Sequence, residues 1–369
     1  MRTKSVLLGP AIVAVGIATY VTVAGLTGFC PTCQGITDRV FGGSASSASQ
    51  ASLVTPASAE TKQPSGHSSQ PGSDESFTLT HRPGAVDLEQ EYDLSNLTIP
   101  LDEIHTLLPR DAIPALTDPK MIPAGEADYL NANSRVIAVE IDDQAIGLPL
   151  AILNYHEIIN TTLAGVPIAV TYCPLCDSAT VFKRTVGDDA AVLEFGVSGA
   201  LYNSNVLMYD RTDKGLWSQL ALQAVSGPRV GTELEYLPIQ MMSFERFTSR
   251  YPDAKVLSTD TGYDIPYTSS PYDWYFQDGH KLLVSVKGIG DTLPRKTLGL
   301  GILAGEDAIF IPVDVIGQER TIDTPMGPVK VRTSEAGVEV LSAPEGVRTA
   351  QAFYYSWSAF HPRTEVITE

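Results

Sequence analysis

The feature that most constrains the fold is a pair of apolar segments joined by a short turn that contains two cysteines. Residues 166–172 are rich in apolar and β-branched side chains, and residues 179–182 form a second apolar run. Such runs on either side of a tight turn predict two short β-strands. The turn reads Cys173-Pro174-Leu175-Cys176, and its proline fixes φ at about −65°. The two thiols then converge on one side, where they either close a disulfide or hold a soft metal ion.

The cysteines of the chain fall into two pairs with the same spacing. There are four, in Cys30-Pro31-Thr32-Cys33 and in Cys173-Pro174-Leu175-Cys176. Cysteines that are merely buried would not repeat a Cys-Pro-x-Cys pattern, so the repetition favours redox or metal chemistry. A coincidental pair of structural disulfides is the alternative. The first pair is equally compatible with a second reactive pair and with a disulfide that stiffens the exit from the membrane.

The N-terminal part of the chain has the pattern of a membrane anchor followed by a linker. Residues 6–29 contain no charged side chain and follow two basic residues. This length suffices to cross a bilayer, and the basic residues should keep the N-terminus in the cytoplasm. We therefore expect residues 1–35 to form an uncleaved single-pass anchor in the cell membrane. Residues 36–76 are mostly Ser, Ala, Gly, Gln and Pro, which predicts a flexible tether. The domain at residues 77–369 would then lie in the periplasm or the extracellular space.

The patterning of the remaining chain predicts a mainly β fold, of the α+β type with few short helices. Prolines recur between residues 94 and 130 and exclude long helices there. Strand patterns dominate the rest, including residues 282–286 and the aromatic run at residues 353–357. Residues 150–159 and 243–251 are the helix candidates.

A weak internal repeat predicts two related β units. Ala-Ile-Gly-Leu-Pro-Leu at residues 145–150 resembles Ala-Ile-Phe-Ile-Pro-Val at residues 308–313, and a similar strand pattern follows each copy. The first unit is expected at about residues 111–260 and the second at about residues 280–369. The second copy has Arg332-Thr333-Ser334 where the first has Thr171-Tyr172-Cys173. The chemistry is therefore expected in the first unit, with the second serving as scaffold.

A metal ion at the two thiolates would need further ligands, because two sulfurs do not complete a tetrahedral site. His156, beside Glu157 at the end of a predicted short helix, is the nearest candidate, and Met208 on a predicted strand adds a thioether. Thiolate, imidazole and thioether together favour copper over zinc. The alternatives are a histidine that caps carbonyls at the helix end and a methionine that fills the core.

Residues 195–205 are dense in small hydrogen-bonding side chains. Within them, Ser198, Tyr202, Asn203 and Asn205 either bind a ligand or satisfy the backbone of a bent loop. The Gly-Val-Ser-Gly spacing is not that of a nucleophile elbow, and the sequence contains no nucleotide-binding or haem-attachment signature. A net charge of −18 argues against binding to nucleic acid.

A series of short motifs resembles one protein family. The motifs occur at residues 154–160, 171–176, 195–199, 201–205, 208–211, 216–219, 251–253, 256–258 and 360–362. Over roughly residues 111–364, the chain resembles a prokaryotic family of exported or membrane-anchored proteins catalogued as a domain of unknown function. The resemblance leaves the anchor, the tether, Cys30 and Cys33 outside, and it implies no activity.

Three functions are compatible with these features. The first is a membrane-tethered domain that binds copper or zinc through Cys173, Cys176 and His156, with Met208 as an additional candidate ligand. The second is a thiol–disulfide oxidoreductase in which Cys173 and Cys176 cycle and exchange with the N-terminal pair. The third is a non-catalytic ligand-binding scaffold in which a disulfide locks the turn. The sequence ranks metal binding first.

Overall fold

The computed structural model describes residues 87–187 and 189–369. Of these residues, 40% lie in strands and 14% in helices, which confirms a mainly β fold with few short helices. The predicted anchor at residues 1–35, the predicted tether at residues 36–76 and the first cysteine pair lie outside the described residues. Within the described part of the chain, no helix is long and apolar enough to cross a membrane.

Short strands make up most of the secondary structure. The strands are β1 (Ile104–Thr106), β2 (Leu116–Thr117), β3 (Met121–Pro123), β4 (Arg135–Ile141), β5 (Gln144–Pro149), β6 (Ile158–Leu163), β7 (Val166–Cys173), β8 (Ser178–Lys183), β9 (Thr185–Val186), β10 (Ala191–Val192), β11 (Phe195–Tyr202), β12 (Asn205–Asp210), β13 (Leu216–Ser218), β14 (Gln223–Ala224), β15 (Tyr236–Leu237), β16 (Ile239–Ser243), β17 (Lys255–Leu257), β18 (Leu298–Ala304), β19 (Asp307–Pro312), β20 (Arg320–Ile322), β21 (Val329–Ser334), β22 (Gly337–Ser342), β23 (Arg348–Phe353) and β24 (Glu365–Val366). The helices are α1 (Leu88–Glu91), α2 (Leu150–His156), α3 (Phe244–Arg250), α4 (Asp273–Gln277), α5 (Val313–Ile316) and α6 (Tyr354–Phe360), with 3₁₀ turns at Leu101–Glu103 and Ala124–Glu126.

In residues 87–369, apart from residue 188, the strands form five sheets and one two-stranded ribbon. The arrangement resembles a five-bladed β-propeller. The strand orders are β1-β11-β12-β13-β14, β15-β8-β7-β6-β2, β16-β4-β5-β17-β3, β23-β18-β19-β24 and β20-β21-β22, and the ribbon is β9-β10. The turn with the two cysteines joins β7 to β8, as predicted, so it lies at one end of the second sheet.

Two of the sheets share one topology. The order β16-β4-β5-β17 recurs as β23-β18-β19-β24, and in both the first two pairings are antiparallel while the third is parallel. A short helix follows equivalent strands in each copy, α2 after β5 and α5 after β19, then α3 after β16 and α6 after β23. The neighbouring hairpins β6-β7-β8 and β20-β21-β22 also correspond in order. This organisation is consistent with the internal repeat in the sequence.

The two copies dock on each other reciprocally. Strand β8 of the first copy contacts β23 of the second, and β22 of the second contacts β16 of the first. The second contact includes the side-chain amide of Gln240, which donates to the carbonyl of Val340 at 2.6 Å and accepts from its N–H at 3.0 Å. In the first copy, strands β11–β14 are inserted in the chain between β8 and β16. In the second copy, the corresponding strands β22 and β23 follow each other closely.

Three predicted elements differ from the structure. The predicted helix at residues 150–159 ends at His156, because Glu157 has a φ of 55° that no α-helix accommodates, and β6 follows directly. Residues 282–286 form no strand; their apolar side chains instead cover the core without a backbone partner. The aromatic run at residues 353–357 becomes helical after Phe353, and every residue from 354 to 358 is buried. A helix that is buried on all sides produces an apolar run without the alternation of a strand.

Candidate functional site

The turn with the two cysteines, residues 173–177, is held rigidly at both of its ends. Strands β7 and β8 pair up to Cys173 opposite Ser178, and Asp177 takes a φ of 46°. Aspartate tolerates this left-handed region better than most residues do. The Asp177 carboxylate accepts a hydrogen bond from the Tyr172 hydroxyl at 2.9 Å and pairs with Arg135 at 3.0 Å. We call residues 173–177 the thiol turn.

Both sulfurs of the thiol turn are free and deeply buried. Cys173 is 1% exposed and Cys176 is 0% exposed, and no disulfide joins them. The Cys173 sulfur lies 4.0 Å from the carbonyl oxygen of Ser204, and the Cys176 sulfur lies 3.9 Å from the carbonyl oxygen of Cys173. The pair is therefore a vicinal dithiol inside the protein, with the two cysteines close together.

Polar side chains of β8 and of the segment inserted into the first copy surround the sulfur of Cys176. The amide nitrogen of Asn205, the first residue of β12, donates to this sulfur at 3.1 Å, and the Ser178 hydroxyl lies at 3.1 Å. The same amide nitrogen lies 2.7 Å from Oε1 of Gln219, and the Gln219 amide donates to Thr171 Oγ1 at 3.1 Å. The donors are thus fixed by a buried network that continues across β7, β8 and β12.

The second copy forms the opposite wall of the site. The N–H of Phe353 donates to the carbonyl of Cys176 at 2.8 Å, and the Tyr355 hydroxyl donates to the carbonyl of Leu175 at 2.7 Å. The hydroxyl of Tyr275, on α4, lies 3.3 Å from that of Tyr355. Because β23 and α6 supply these groups, the thiol turn is enclosed by both copies of the repeat.

The surroundings separate the acidities of the two thiols. Burial raises the pKa of Cys173 well above its ordinary value, and the negative charges that Cys176 and Glu157 can carry raise it further. Burial also opposes ionisation of Cys176, but hydrogen bonds from Cys173, Ser178, Asn205 and Ser356 outweigh it, so the pKa of Cys176 is lowered. A thiolate is the nucleophilic form of cysteine. Of the two thiols, Cys176 is therefore the one that ionises more readily.

Glu157 is a buried carboxyl group on the same side of the fold as the thiols. Its backbone carbonyl accepts from the N–H of Tyr172, the residue before Cys173, at 2.8 Å. Its side chain accepts from the Tyr272 hydroxyl at 3.2 Å. Burial, with a smaller contribution from Cys176, raises the pKa of Glu157 to about 8. This carboxyl group is thus largely neutral near neutral pH.

His156 and Glu157 have different hydrogen-bond partners, and both ring nitrogens of His156 are hydrogen-bonded. Its Nδ1 lies 2.7 Å from the carbonyl oxygen of Pro114, and its Nε2 lies 2.6 Å from the hydroxyl of Tyr267. The side chain is buried, and burial lowers its pKa to about 4. The carbonyl that His156 contacts belongs to Pro114 and not to the end of its own helix. His156 is therefore a structural histidine, but it is not the predicted helix cap.

The predicted three-ligand metal site is not formed. In residues 87–187 and 189–369, no group of three or more His, Cys, Asp or Glu side chains is placed to hold one metal ion. Met208 is fully buried on β12, paired with Val197 and Trp217, in the hydrophobic cluster that also contains both cysteines. Its surroundings are those of a core methionine.

Of the four predicted ligand-loop residues, Asn205 is the one hydrogen-bonded to a sulfur of the thiol turn. The Ser198 hydroxyl, on β11, donates a hydrogen bond to the carbonyl of Leu207, on β12, at 2.5 Å and so links these two strands. Asn203 has a φ of 51° in the turn between these strands, and the Tyr202 ring meets Phe360 edge to face at 5.6 Å. These three residues shape the hairpin that presents Asn205.

Comparison with known proteins identifies the family. The sequence profile of the DUF3179 family, described as a protein of unknown function, matches residues 110–349. This is more than half of the chain. The chain belongs to the DUF3179 family. No curated protein and no solved structure matches it. In this DUF3179 protein, the matched range contains the thiol turn, Glu157 and the Asn205 network, but it ends before Tyr355 and Ser356.

Sequence reasoning missed several residues around the thiols. Tyr272, Tyr355 and Ser356 lie about 100 or more residues from Glu157 or from the thiol turn along the chain, and no local pattern connects them with it. The sequence places Glu157 beside His156 but indicates no role of its own for the carboxyl group. One sequence signal could have separated Glu157 from His156. Consecutive residues at the end of a helix project in different directions, so the two side chains need not share one site.

Proposed function

We propose that Cys173 and Cys176 form a thiol–disulfide redox centre in an extracytoplasmic, membrane-tethered domain. The observation that carries this proposal is the convergence of hydrogen-bond donors on one sulfur of a free vicinal pair. Such donors stabilise a thiolate, and a dithiol with one acidic member is the arrangement that exchanges with other disulfides. Outside the cytoplasm, an unmetallated pair of this kind would encounter oxidising partners.

The proposed exchange assigns different tasks to the two sulfurs. Both sulfurs are buried, so the proposed exchange requires the wall formed by β23 and α6 to open. The Cys176 thiolate then attacks a substrate disulfide, the substrate S–S bond breaks, and one substrate thiolate leaves and takes up a proton. Cys176 is then joined to the other half of the substrate. Cys173 loses its proton and attacks Cys176, which forms the internal disulfide and releases the second substrate thiol. The protein dithiol is oxidised and one disulfide is reduced to two thiols.

Metal binding is the competing hypothesis for the same pair. Zinc in a structural site takes four ligands, and the described residues supply no third His, Cys, Asp or Glu beside the two sulfurs. The donors around Cys176 already contact its sulfur, so they serve a thiolate without a metal ion. A purely structural disulfide would not need these donors, because a disulfide sulfur carries no charge.

A redox titration tests the proposal. Full-length protein with Cys30→Ser and Cys33→Ser is equilibrated in glutathione buffers, free thiols are alkylated, and the oxidised fraction is measured by mass spectrometry. We expect a reversible transition at a reduction potential between about −270 and −120 mV, the range of catalytic pairs. A potential below about −300 mV would indicate a structural disulfide. A pair that stays reduced and binds zinc or copper(I) stoichiometrically would support the metal hypothesis instead.

Single cysteine variants supply a matched comparison. In the same background, Cys173→Ser should accumulate a mixed disulfide on Cys176 when treated with oxidised glutathione, because no second sulfur resolves it. Cys176→Ser should form much less of the adduct, since the pKa of Cys173 is raised. Equal adduct formation by both variants would contradict the assigned roles.

A further inference from the structure

Gln219 is a fully buried amide behind the polar groups that contact the sulfur of Cys176. It directly follows β13 in the chain. Its side-chain hydrogen bonds end at Asn205, Ser178 and Thr171, so they reach the neighbours of the sulfur and not the sulfur itself. An amide in this place acts on Cys176 through the direction in which those neighbours donate.

The orientation of the Gln219 amide is fixed by a backbone carbonyl. Its Nε2 lies 3.2 Å from the carbonyl oxygen of Ser178, which can only accept a hydrogen bond. This atom of the amide must therefore be the nitrogen, and the other atom, Oε1, is the acceptor. Oε1 lies 2.8 Å from the Ser178 hydroxyl and 2.7 Å from Nδ2 of Asn205. A carbonyl oxygen has two lone pairs, so these two donors satisfy it.

The amide of Asn205 is fixed in the same way. Its Oδ1 lies 3.3 Å from the backbone nitrogen of Leu220, whose N–H can only donate. Its Nδ2 therefore carries two protons, and it lies 2.7 Å from Gln219 Oε1 and 3.1 Å from the sulfur of Cys176. The Ser178 oxygen is slightly farther away, at 3.2 Å. Asn205 can thus donate to the sulfur and keep its hydrogen bond to Gln219.

Ser178, by contrast, has one hydroxyl proton for two acceptors. Its Oγ lies 2.8 Å from Gln219 Oε1 and 3.1 Å from the sulfur of Cys176. When Cys176 is a thiol, it donates its proton to Ser178 Oγ, which is closer than the Cys173 carbonyl at 3.9 Å, and Ser178 donates to Gln219. When Cys176 is a thiolate, its sulfur only accepts. The Ser178 proton is then drawn to the charged sulfur, because charge-assisted hydrogen bonds are the stronger ones.

We infer that the Ser178 hydroxyl turns from Gln219 to the Cys176 sulfur when that sulfur loses its proton, and that Gln219 is the positioning residue for this rotation. Ser178 and Gln219 neither gain nor lose a proton, since one O–H group changes its acceptor. Gln219 holds Asn205 on the sulfur in both states and competes with the thiolate for the Ser178 proton. The part that this rotation plays in disulfide exchange rests on the proposed redox function, in which Cys176 attacks as a thiolate.

Other ionisable groups also act on Cys176 and have to be kept constant in a test. They are Cys173, Glu157, Asp177, Tyr275 and Tyr355. All of them are present in any two proteins that differ only at Gln219. Comparing such pairs of proteins therefore separates the contribution of the amide from that of the surrounding charges.

A double-mutant cycle in full-length Cys30→Ser/Cys33→Ser protein tests the inference. The pKa of Cys176 is measured from the ultraviolet absorbance of the thiolate, after subtraction of the Cys176→Ser protein to remove the tyrosines. Gln219→Met is introduced beside the native Ser178 and beside Ser178→Ala. We expect the change in pKa that Gln219→Met causes to be more negative by about 0.5 to 1 with the native serine, because the hydroxyl no longer gives up a neutral hydrogen bond. Any loosening of Asn205 affects both pairs and cancels.

Ser226→Ala is the matched control for the serine. Ser226 is also fully buried, but its hydroxyl donates to the backbone carbonyl of Asp93 at 2.7 Å. Beside Ser226→Ala, Gln219→Met should change the pKa of Cys176 as it does beside the native serines. Equal changes with and without the Ser178 hydroxyl would refute the rotation.

A second comparison decides the question if Gln219→Met does not fold. Ser178→Ala should raise the pKa of Cys176 by less than Asn205→Ala does, because only the serine gives up Gln219 when it donates to the sulfur. An equal or larger rise would overturn the inference. The redox titration gives a separate answer: if no reversible disulfide forms while the cycle behaves as expected, the rotation stands and the redox function fails.

Discussion

His156 and Glu157, consecutive in the chain, should make opposite contributions to the pH dependence of folding. Burial raises the pKa of Glu157 from 4.5 to about 8, so the folded protein binds the extra proton between these values. Its contribution to stability is complete below about pH 4.5 and is lost as the pH rises through 8. Burial lowers the pKa of His156 from 6.5 to about 4. Its contribution is complete above about pH 6.5 and is lost as the pH falls through 4.

The magnitude follows from the free energy of about 1.4 kcal/mol that accompanies each pKa difference of one. Between about pH 4.5 and pH 7, Glu157 should reduce the free energy of unfolding by about 3 kcal/mol. Over about pH 4.5 to 6.5, the slope from His156 has the opposite sign and a similar size, so the two nearly cancel in the wild-type protein. Replacing either residue should leave the pH dependence of the free energy of unfolding that the other residue contributes.

Urea denaturation of the full-length protein at a series of pH values measures this effect. Glu157→Gln should gain stability relative to wild type as the pH rises, by about 3 kcal/mol from about pH 4.5 to pH 7. His156→Gln should show the reverse trend, with stability falling from about pH 4.5 upwards. Comparing differences between proteins removes the contributions of groups common to both. A difference between wild type and Glu157→Gln that changes by less than about 1 kcal/mol over this range would refute the burial argument for Glu157.

Two further substitutions test the packing and the hydrogen bonds of the site. Asn205→Ala should raise the pKa of Cys176 by about 1 to 2, because it removes a hydrogen bond to a charged sulfur that is worth about 1.5–3 kcal/mol. The ultraviolet absorbance of the thiolate, recorded against pH, measures this pKa. An unchanged titration would show that the amide does not stabilise the thiolate. Ser198→Ala is the control, since its hydroxyl bonds to the backbone, and it should leave that titration unchanged. Gly199→Ala should lower the free energy of unfolding by more than about 2 kcal/mol, measured by thermal or urea unfolding. The φ of Gly199 is 76°, and a Cβ there would lie 2.1 Å from the carbonyl oxygen of Leu108. A variant as stable as wild type would contradict this local geometry.

The sequence predicted the local parts of the site. The hairpin around the thiol turn and the tolerance of Asp177 for a left-handed conformation follow from short-range patterns of apolar, proline and aspartate residues. The internal repeat pointed to two related β units because a shared topology leaves a trace in the strand patterns. These features depend on residues within a few positions of each other.

The composition of the site depends on contacts that local patterns do not encode. Tyr272 reaches Glu157 across 115 residues, and Tyr355 reaches Leu175 across 180 residues. In the described residues, His156 does not join the thiols in a group that could hold a metal ion. Its two ring nitrogens instead contact the Pro114 carbonyl and the Tyr267 hydroxyl, and Tyr267 lies 111 residues away along the chain.

The reciprocal docking of the two copies bears on where this domain can be divided. The family match ends at residue 349, inside β23, so a fragment cut there would lose four of the six residues of that strand and all of α6. It would keep both cysteines yet lack the Phe353 N–H, Tyr355 and Ser356 that close over them. The second copy, which carries no cysteine, thus forms one wall around the thiols of the first. The smallest fragment that keeps the thiols enclosed therefore extends past residue 349, where the family match ends.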